Sequence, residues 1–280
     1  MAWNLDQIPI VCLNLDRRPD RWERVQNFPG YADFPKIQRW PAVDGKTIDI
    51  LNDKRVSVVA KHNIQKKTRR AHEYLNTPGA IGCYLSHTSV YEWLAKQNDT
   101  DVVLIFEDDI ALPAGCYQAL KAYIAANKTL QDATKWDVWQ LGPWISEGVV
   151  DEAAGAGNSR ILSYQLAHAY LVSKRGAAAL LKQIHPIELH IDGYMSFLSQ
   201  IGQLDMFGSN VQLFSQNGSS TDIHIGLACP VCDVPDNFNI NSMLISKREN
   251  LLYKMAAGAG TIAALYMAWR LITKPPKNRA

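Results

Sequence analysis

Several things are scarce in this 280-residue sequence, and each shortage excludes a class of protein. The five cysteines, Cys12, Cys83, Cys116, Cys229 and Cys232, are an odd and scattered set that makes no disulfide framework. Only Cys229 and Cys232 have metal or redox spacing, and without a second pair they do not by themselves make a zinc site. Net charge is only +2, so the balance calls for no nucleic-acid partner. No internal repeat is present. Met1 to Gln7 lacks a basic start, and Ile8 to Leu15 is too short an apolar stretch for a signal peptide, so none is expected. A full bilayer-spanning run is also lacking. Residues 255–269 carry no charge but cover about 22 Å, against roughly 30 Å for a hydrocarbon core. Snorkelling of Lys254 and Arg270 could extend this stretch over 251–273, and Ala256 with Gly260 forms a small-xxx-small pair. The expectation is a hydrophobic C-terminal helix over 251–273 that anchors to a membrane, followed by a basic tail, 274–280. A terminal helix packed on the domain or on a partner is the alternative.

What is present is an ordinary globular composition, 47% hydrophobic and 20% charged. Apolar runs bounded by turn residues alternate with helical patterns, which predicts an α/β domain with a mostly parallel central sheet. Strands are expected at 8–15, 37–43, 102–106, 136–141, 167–173 and 204–214. Helices are expected over 79–97, from Pro113 onward, and over 174–184 and 192–201. Residues 146–160, small and glycine-rich, read as a lid-like loop, and 215–241 as a polar wrap. The basic run from Lys61 to Arg70 reads first as a solvated face.

One feature stands out chemically. Glu107, Asp108 and Asp109 end the apolar run Val102–Phe106. Adjacent like charges raise one another's pKa values, and a cation relieves the repulsion. Oxygen ligands of this type suit Mg²⁺ or Mn²⁺, which in turn bind phosphate. Strand alternation places Glu107 and Asp109 on one side and Asp108 on the other, so the three do not share one role. Asn14, Arg17 and Arg21 follow the first strand, where α/β sheets bind ligands and where a guanidinium fork suits phosphate.

The order of motifs is more specific than any one of them. NLDRRPDRW (14–22), AVDG (42–45), PGAIGCYLSH (78–87) and LIFEDD (104–109), with weaker agreement through HAYLVSKRGAAALL (168–181) and HIDGYM (190–195), resembles glycosyltransferase family 25. That family includes bacterial lipooligosaccharide and procollagen galactosyltransferases. The resemblance covers roughly 8–225 and implies a glycosyltransferase A-type, Rossmann-like single domain, placed here at 1–248. It implies an inverting transfer of a hexose, galactose first, from a UDP-sugar to a hydroxyl on a glycan, lipid-linked or protein acceptor, with Mn²⁺ or Mg²⁺.

The same resemblance implies site residues. Asp109 is the leading metal contact and Asp108 the ribose or sugar contact, with the reverse left open, and Glu107 stands beside them. Asp222 and His224 could supply further metal ligands, or be plain loop residues. Asp192 is the leading base, with Glu188 and His190 behind it, although an aspartate there also suits a helix start. Asn14, Arg17, Arg21, Asp44, Gly45, Gly82 and Ser86 are the nucleotide-facing set, and His87 is as readily a core histidine. Apart from the resemblance, insertion of the C-terminal stretch would place the protein on a membrane with the catalytic domain facing the cytosol; otherwise it is expected to be cytoplasmic. A catalytically inactive nucleotide-sugar-binding or membrane-tethered interaction protein on the same fold is the alternative.

Overall fold

The computed structural model describes residues 3–218 and 221–223, apart from 70, 150–153 and 156. His224, Cys229, Cys232, the expected C-terminal helix and the basic tail lie outside the described residues. Among those described, no helix is long and apolar enough to cross a membrane.

The chain opens with β1 (Ile10–Leu15), α1 (Pro19–Gln26), β2 (Gln38–Ala42), α2 (Val58–Lys66) and α3 (Pro78–Ala95). β3 (Val102–Glu107), β4 (Ile110–Ala111), α4 (Cys116–Ala126), β5 (Val138–Gln140) and β6 (Trp144–Val149) follow. The described part ends with β7 (Asn158–Gln165), β8 (Ala169–Ser173), α5 (Lys174–Leu181), α6 (Ile191–Gln200), β9 (Met206–Ser209) and β10 (Ser215–Gln216). Eight strands form one sheet in the order β2-β1-β3-β8-β5-β9-β7-β6, and β4 pairs with β10 alone. β2, β1, β3, β5, β9 and β6 point one way, β8 and β7 the other. The sheet is thus mostly parallel in direction, as expected, with β8 inserted antiparallel at its centre.

The sheet is covered on both faces, which is why its central strands read as unbroken apolar runs. Along β3, Val103 and Ile105 join one core with α3, α5 and α6, while Val102, Leu104 and Phe106 join the other with α4. α3 is the central helix. Thr77 caps it by accepting from the Ala80 N–H at 3.2 Å, and Pro78 occupies its first turn, where a missing N–H costs nothing. The turn after β2 lies directly on this helix. A Cβ on Gly82 would meet the Gly45 nitrogen and the Val43 carbonyl at 2.5 Å, so only glycine permits that approach.

Two segments differ from expectation. Residues 146–149 and 158–160 are not loop but belong to β6 and β7, a hairpin paired onto β9. Its glycines and register shifts blur the alternation that marks a strand. The NLDRRPDRW segment also holds a helix: α1 starts at Pro19 and buries Arg21 and Val25 on its inner face.

Candidate functional site

The carboxyl ends of β1, β2 and β3 lie side by side at one edge of the sheet. The residues that follow them, Asp16–Arg21, Val43–Gly45 and Asp108–Asp109, are therefore gathered by topology alone. β8 runs the other way, so its leading residue His168 lies at the same edge, its carbonyl accepting from the Glu107 N–H at 3.0 Å.

Two cavities meet here. One is lined by Arg17, Arg21, Asp44, Gly45, Ser86 and Asp108. The other is lined by His72, Glu73, Gln165, Leu166, His190 and Asp192. Cys83, Glu107, Asp109, Thr221 and Ile223 form a wall common to both.

The three carboxylates divide as alternation suggested. Asp108 is buried and committed: its Oδ2 accepts from Asn14 Nδ2 at 2.6 Å, and its Oδ1 lies 3.1 Å from Arg21. Burial raises its pKa against the opposing pull of Arg21. Glu107 is held from behind, its Oε1 accepting from His87 Nε2 at 2.9 Å with the Cys83 sulfur 3.6 Å away. Burial works to raise its pKa, but the His87 contact keeps it below the ordinary carboxylate value. Asp109 is anchored on one side only. Its Oδ2 accepts from Gln216 Nε2 at 2.9 Å, its carbonyl accepts from the Asn217 N–H at 2.6 Å, and its Oδ1 is buried without a hydrogen-bond partner. Burial and the neighbouring Glu107 charge push its pKa up to about 7. A buried oxygen with open valence and excess negative charge around it fits a divalent cation.

Around Asp108 the nucleotide-facing set separates into framework and surface. Asn14 is a strut: its Nδ2 donates to the Arg18 carbonyl at 2.9 Å and its Oδ1 accepts from Arg39 at 2.7 Å. Ser86 accepts from the Val43 N–H at 2.9 Å and donates to the Gly82 carbonyl at 2.7 Å, pinning the turn that carries Asp44. Arg17 faces the cavity, donating to Asp44 at 2.6 Å and to Asp222 at 2.9 Å. Arg18, not singled out from the sequence, donates to the other Asp222 oxygen at 2.5 Å, and Arg21 lies 3.7 Å from it. Burial opposes ionisation of Asp222, but the two donating arginines hold its pKa below the ordinary value. As placed, Asp222 is an anion within an arginine cluster, and binding a metal would mean exchanging those partners. The segment is seated by Thr77, whose hydroxyl donates to the Ile223 carbonyl at 2.6 Å, and by Gly79, against which the Asp222 carbonyl packs.

On the other side of the wall, Asp192 lies in the first turn of α6. Its Oδ1 accepts from its neighbour Gly193 at 2.8 Å and its Oδ2 from the Leu166 N–H at 3.1 Å. Leu166, which donates this bond, has φ of 77°, a left-handed conformation that a leucine rarely adopts. Burial raises the Asp192 pKa. Of the runners-up, His190 lines this cavity while Glu188 lines a separate surface groove beside α2. His87 is fully buried, with Nδ1 2.7 Å from the Tyr170 hydroxyl. His72 and Glu73 were missed because nothing in the local pattern separates them from the basic run that precedes them.

The family model for "Glycosyltransferase family 25 (LPS biosynthesis protein)" matches residues 7–148, just over half of the chain. A glycosyltransferase 25 family member of Aedes aegypti is 28% identical over 197 residues, 68% of this chain and 30% of that protein. One of Anopheles gambiae is 33% identical over 101 residues, 36% of this chain and 16% of that protein. Procollagen galactosyltransferase 1-A of Xenopus laevis is 28% identical over 179 residues, 61% of this chain and 28% of that protein. The chain thus spans less than a third of the length of these relatives. The matched region carries β1 to β3 with every residue that follows them at the cavity edge, and on that ground the chain belongs to glycosyltransferase family 25.

Proposed function

We propose that this chain is a hexosyltransferase of the A-type fold, moving a sugar, galactose first, from a UDP-sugar to a hydroxyl acceptor with inversion. The observation that carries this reading is the shared wall. An arginine-lined cavity and an acidic cavity open onto the same Asp109 carboxylate. One suits a diphosphate donor and the other a hydroxyl that must lose a proton.

The chain's own residues supply most of the chemistry. Arg17 and Arg21 face the donor phosphates, exchanging contacts now made to Asp44, Asp222 and Asp108. Asp44 and Asp108 would accept from ribose or sugar hydroxyls as the arginines that now contact them turn to the phosphates. Asp109, with its unpartnered oxygen, would hold a Mn²⁺ or Mg²⁺ ion, which when bound neutralises charge developing on the leaving diphosphate. Asp192 takes the proton from the acceptor hydroxyl, and its burial-raised pKa brings it nearer to the strength a general base needs. A glycan, a lipid-linked sugar and a protein each offer an acceptor hydroxyl of the same chemistry.

The test is release of UDP across a panel of nucleotide sugars, with Mn²⁺ and with chelator. The reading predicts turnover of one donor, lost on chelation. Turnover indifferent to chelator would remove the metal from the scheme, and UDP binding without turnover of any donor would remove the transfer.

A further inference from the structure

Behind the Asp109 wall, three groups of different chemistry converge. Cys83 and His87 stand four residues apart on α3, hence on one face of the helix. Glu107 reaches them from the end of β3. His87 Nε2 lies 2.9 Å and Cys83 Sγ 3.6 Å from the same Glu107 oxygen, and one ligand atom from each residue lies within 4.8 Å of the others.

We propose that Cys83, His87 and Glu107 form a binding site for a thiophilic divalent cation of the zinc type, separate from the hard-cation position at Asp109.

The geometry is close to what such an ion needs. Tetrahedral zinc has bonds of about 2.3 Å to sulfur and about 2.0–2.2 Å to nitrogen and oxygen, which separates its ligand atoms by about 3.4–3.6 Å. The sulfur–oxygen distance already has this value, and the nitrogen–oxygen distance opens by about half an ångström. The ring is also braced from outside. His87 Nδ1 lies 2.7 Å from the Tyr170 hydroxyl, which lies 2.5 Å from that of Tyr91, all three side chains being buried. Metal-bound histidines use such a partner to fix their orientation and tautomer.

Proton accounting is simple. In the metal-free state Nε2–H donates to Glu107. On binding, the imidazole proton resides on Nδ1 and is donated to Tyr170, freeing the Nε2 lone pair. The Cys83 S–H bond breaks, a sulfur–metal bond forms, and one proton leaves to solvent for each ion bound. Three protein ligands leave a fourth position, and because Cys83 and Glu107 line both cavities, it opens toward them rather than into the core. A thiolate and an imidazole select zinc or cobalt, whereas the oxygen environment at Asp109 suits magnesium or manganese. The two positions would therefore sort metals by softness.

The experiment is titration of cobalt(II) into the full chain carrying Cys229→Ser and Cys232→Ser, which removes the other closely spaced thiols. The expected result is a thiolate-to-cobalt charge-transfer band that zinc(II) abolishes, with one proton released per ion. Cys83→Ser should remove the band, and Asp109→Asn should leave it. No such band in the folded protein, or a band that survives Cys83→Ser, overturns the proposal. If circular dichroism shows that Cys83→Ser does not fold, Glu107→Gln decides: a loss of cobalt affinity of about tenfold or more supports the site, and unchanged affinity overturns it. Because the readout is absorption, its failure is distinct from failure of the transferase reading, which is scored by donor turnover.

Discussion

On the arginine side of the Asp109 wall the charges are already paired with one another. Arg17 is held by Asp44 and Asp222, Arg18 by Asp20 and Asp222, and Arg21 lies against Asp108. On the far side, Glu73, Glu107, Asp109 and Asp192 face one cavity that no described lysine or arginine lines. Asp192 is steadied there by backbone N–H groups. An anionic ligand entering the first cavity would exchange one set of ion pairs for another. In the second, the carboxylates meet less opposing charge: Arg21 lies 3.9 Å from Asp109 Oδ2 and His87 contacts Glu107, yet burial and the Glu107 charge still raise the Asp109 pKa. Asp109 belongs to both regions, and this is why its titration and its coordination matter most.

Breaking the shared wall should have the largest effect. Asp109→Asn keeps the shape and the Gln216 contact but removes the charge, and metal-dependent donor turnover should fall by about 10²–10³-fold or more. Breaking the acidic cavity alone comes next. Asp192→Asn should lower transfer by about 10²–10⁴-fold while UDP affinity, measured by calorimetry, stays as in the parent protein.

A subtler effect is expected from pH. Burial and Glu107 raise the Asp109 pKa from 3.8 to about 7 on folding, so the folded protein holds that proton more tightly than the unfolded chain. This contribution is fully present below the unfolded value and is lost as pH rises through about 7. Thermal unfolding of the metal-free protein should therefore show stability falling toward neutral pH relative to Asp109→Asn, and Mn²⁺ should cancel the difference. The smallest effect sharpens the arginine side. Asp222→Ala removes one of the two carboxylate partners of each of Arg17 and Arg18, and UDP affinity should rise by about two- to fivefold, the scale of a partly exposed ion pair.

The parts of this comparison differ in how far the sequence discloses them. β3 and its carboxylates are legible because a strand buried on both faces must be apolar throughout, and three acids at its end break that pattern abruptly. α3 is legible from its long apolar pattern over 79–97, and only its Thr77-Pro78 start comes from the structure. The direction of β8 and the β6–β7 hairpin are not, since an antiparallel strand in a covered sheet looks like a parallel one and glycines hide the alternation. Least legible are contacts such as Arg18 with Asp222, separated by 204 positions. No local period encodes them. Asn14 and Ser86 add a related point: residues nominated for a ligand also hold the turns at the cavity edge, a role that no local pattern discloses.

The central claim is that Asp109 couples a divalent cation to diphosphate binding at the meeting of the two cavities. Calorimetric titration of UDP into the wild-type chain and Asp109→Asn, each with Mn²⁺ and with chelator, tests it most directly. Affinity that depends on Mn²⁺ in the wild type and is indifferent to it in Asp109→Asn is the predicted result. Equal Mn²⁺ dependence in both proteins would contradict it.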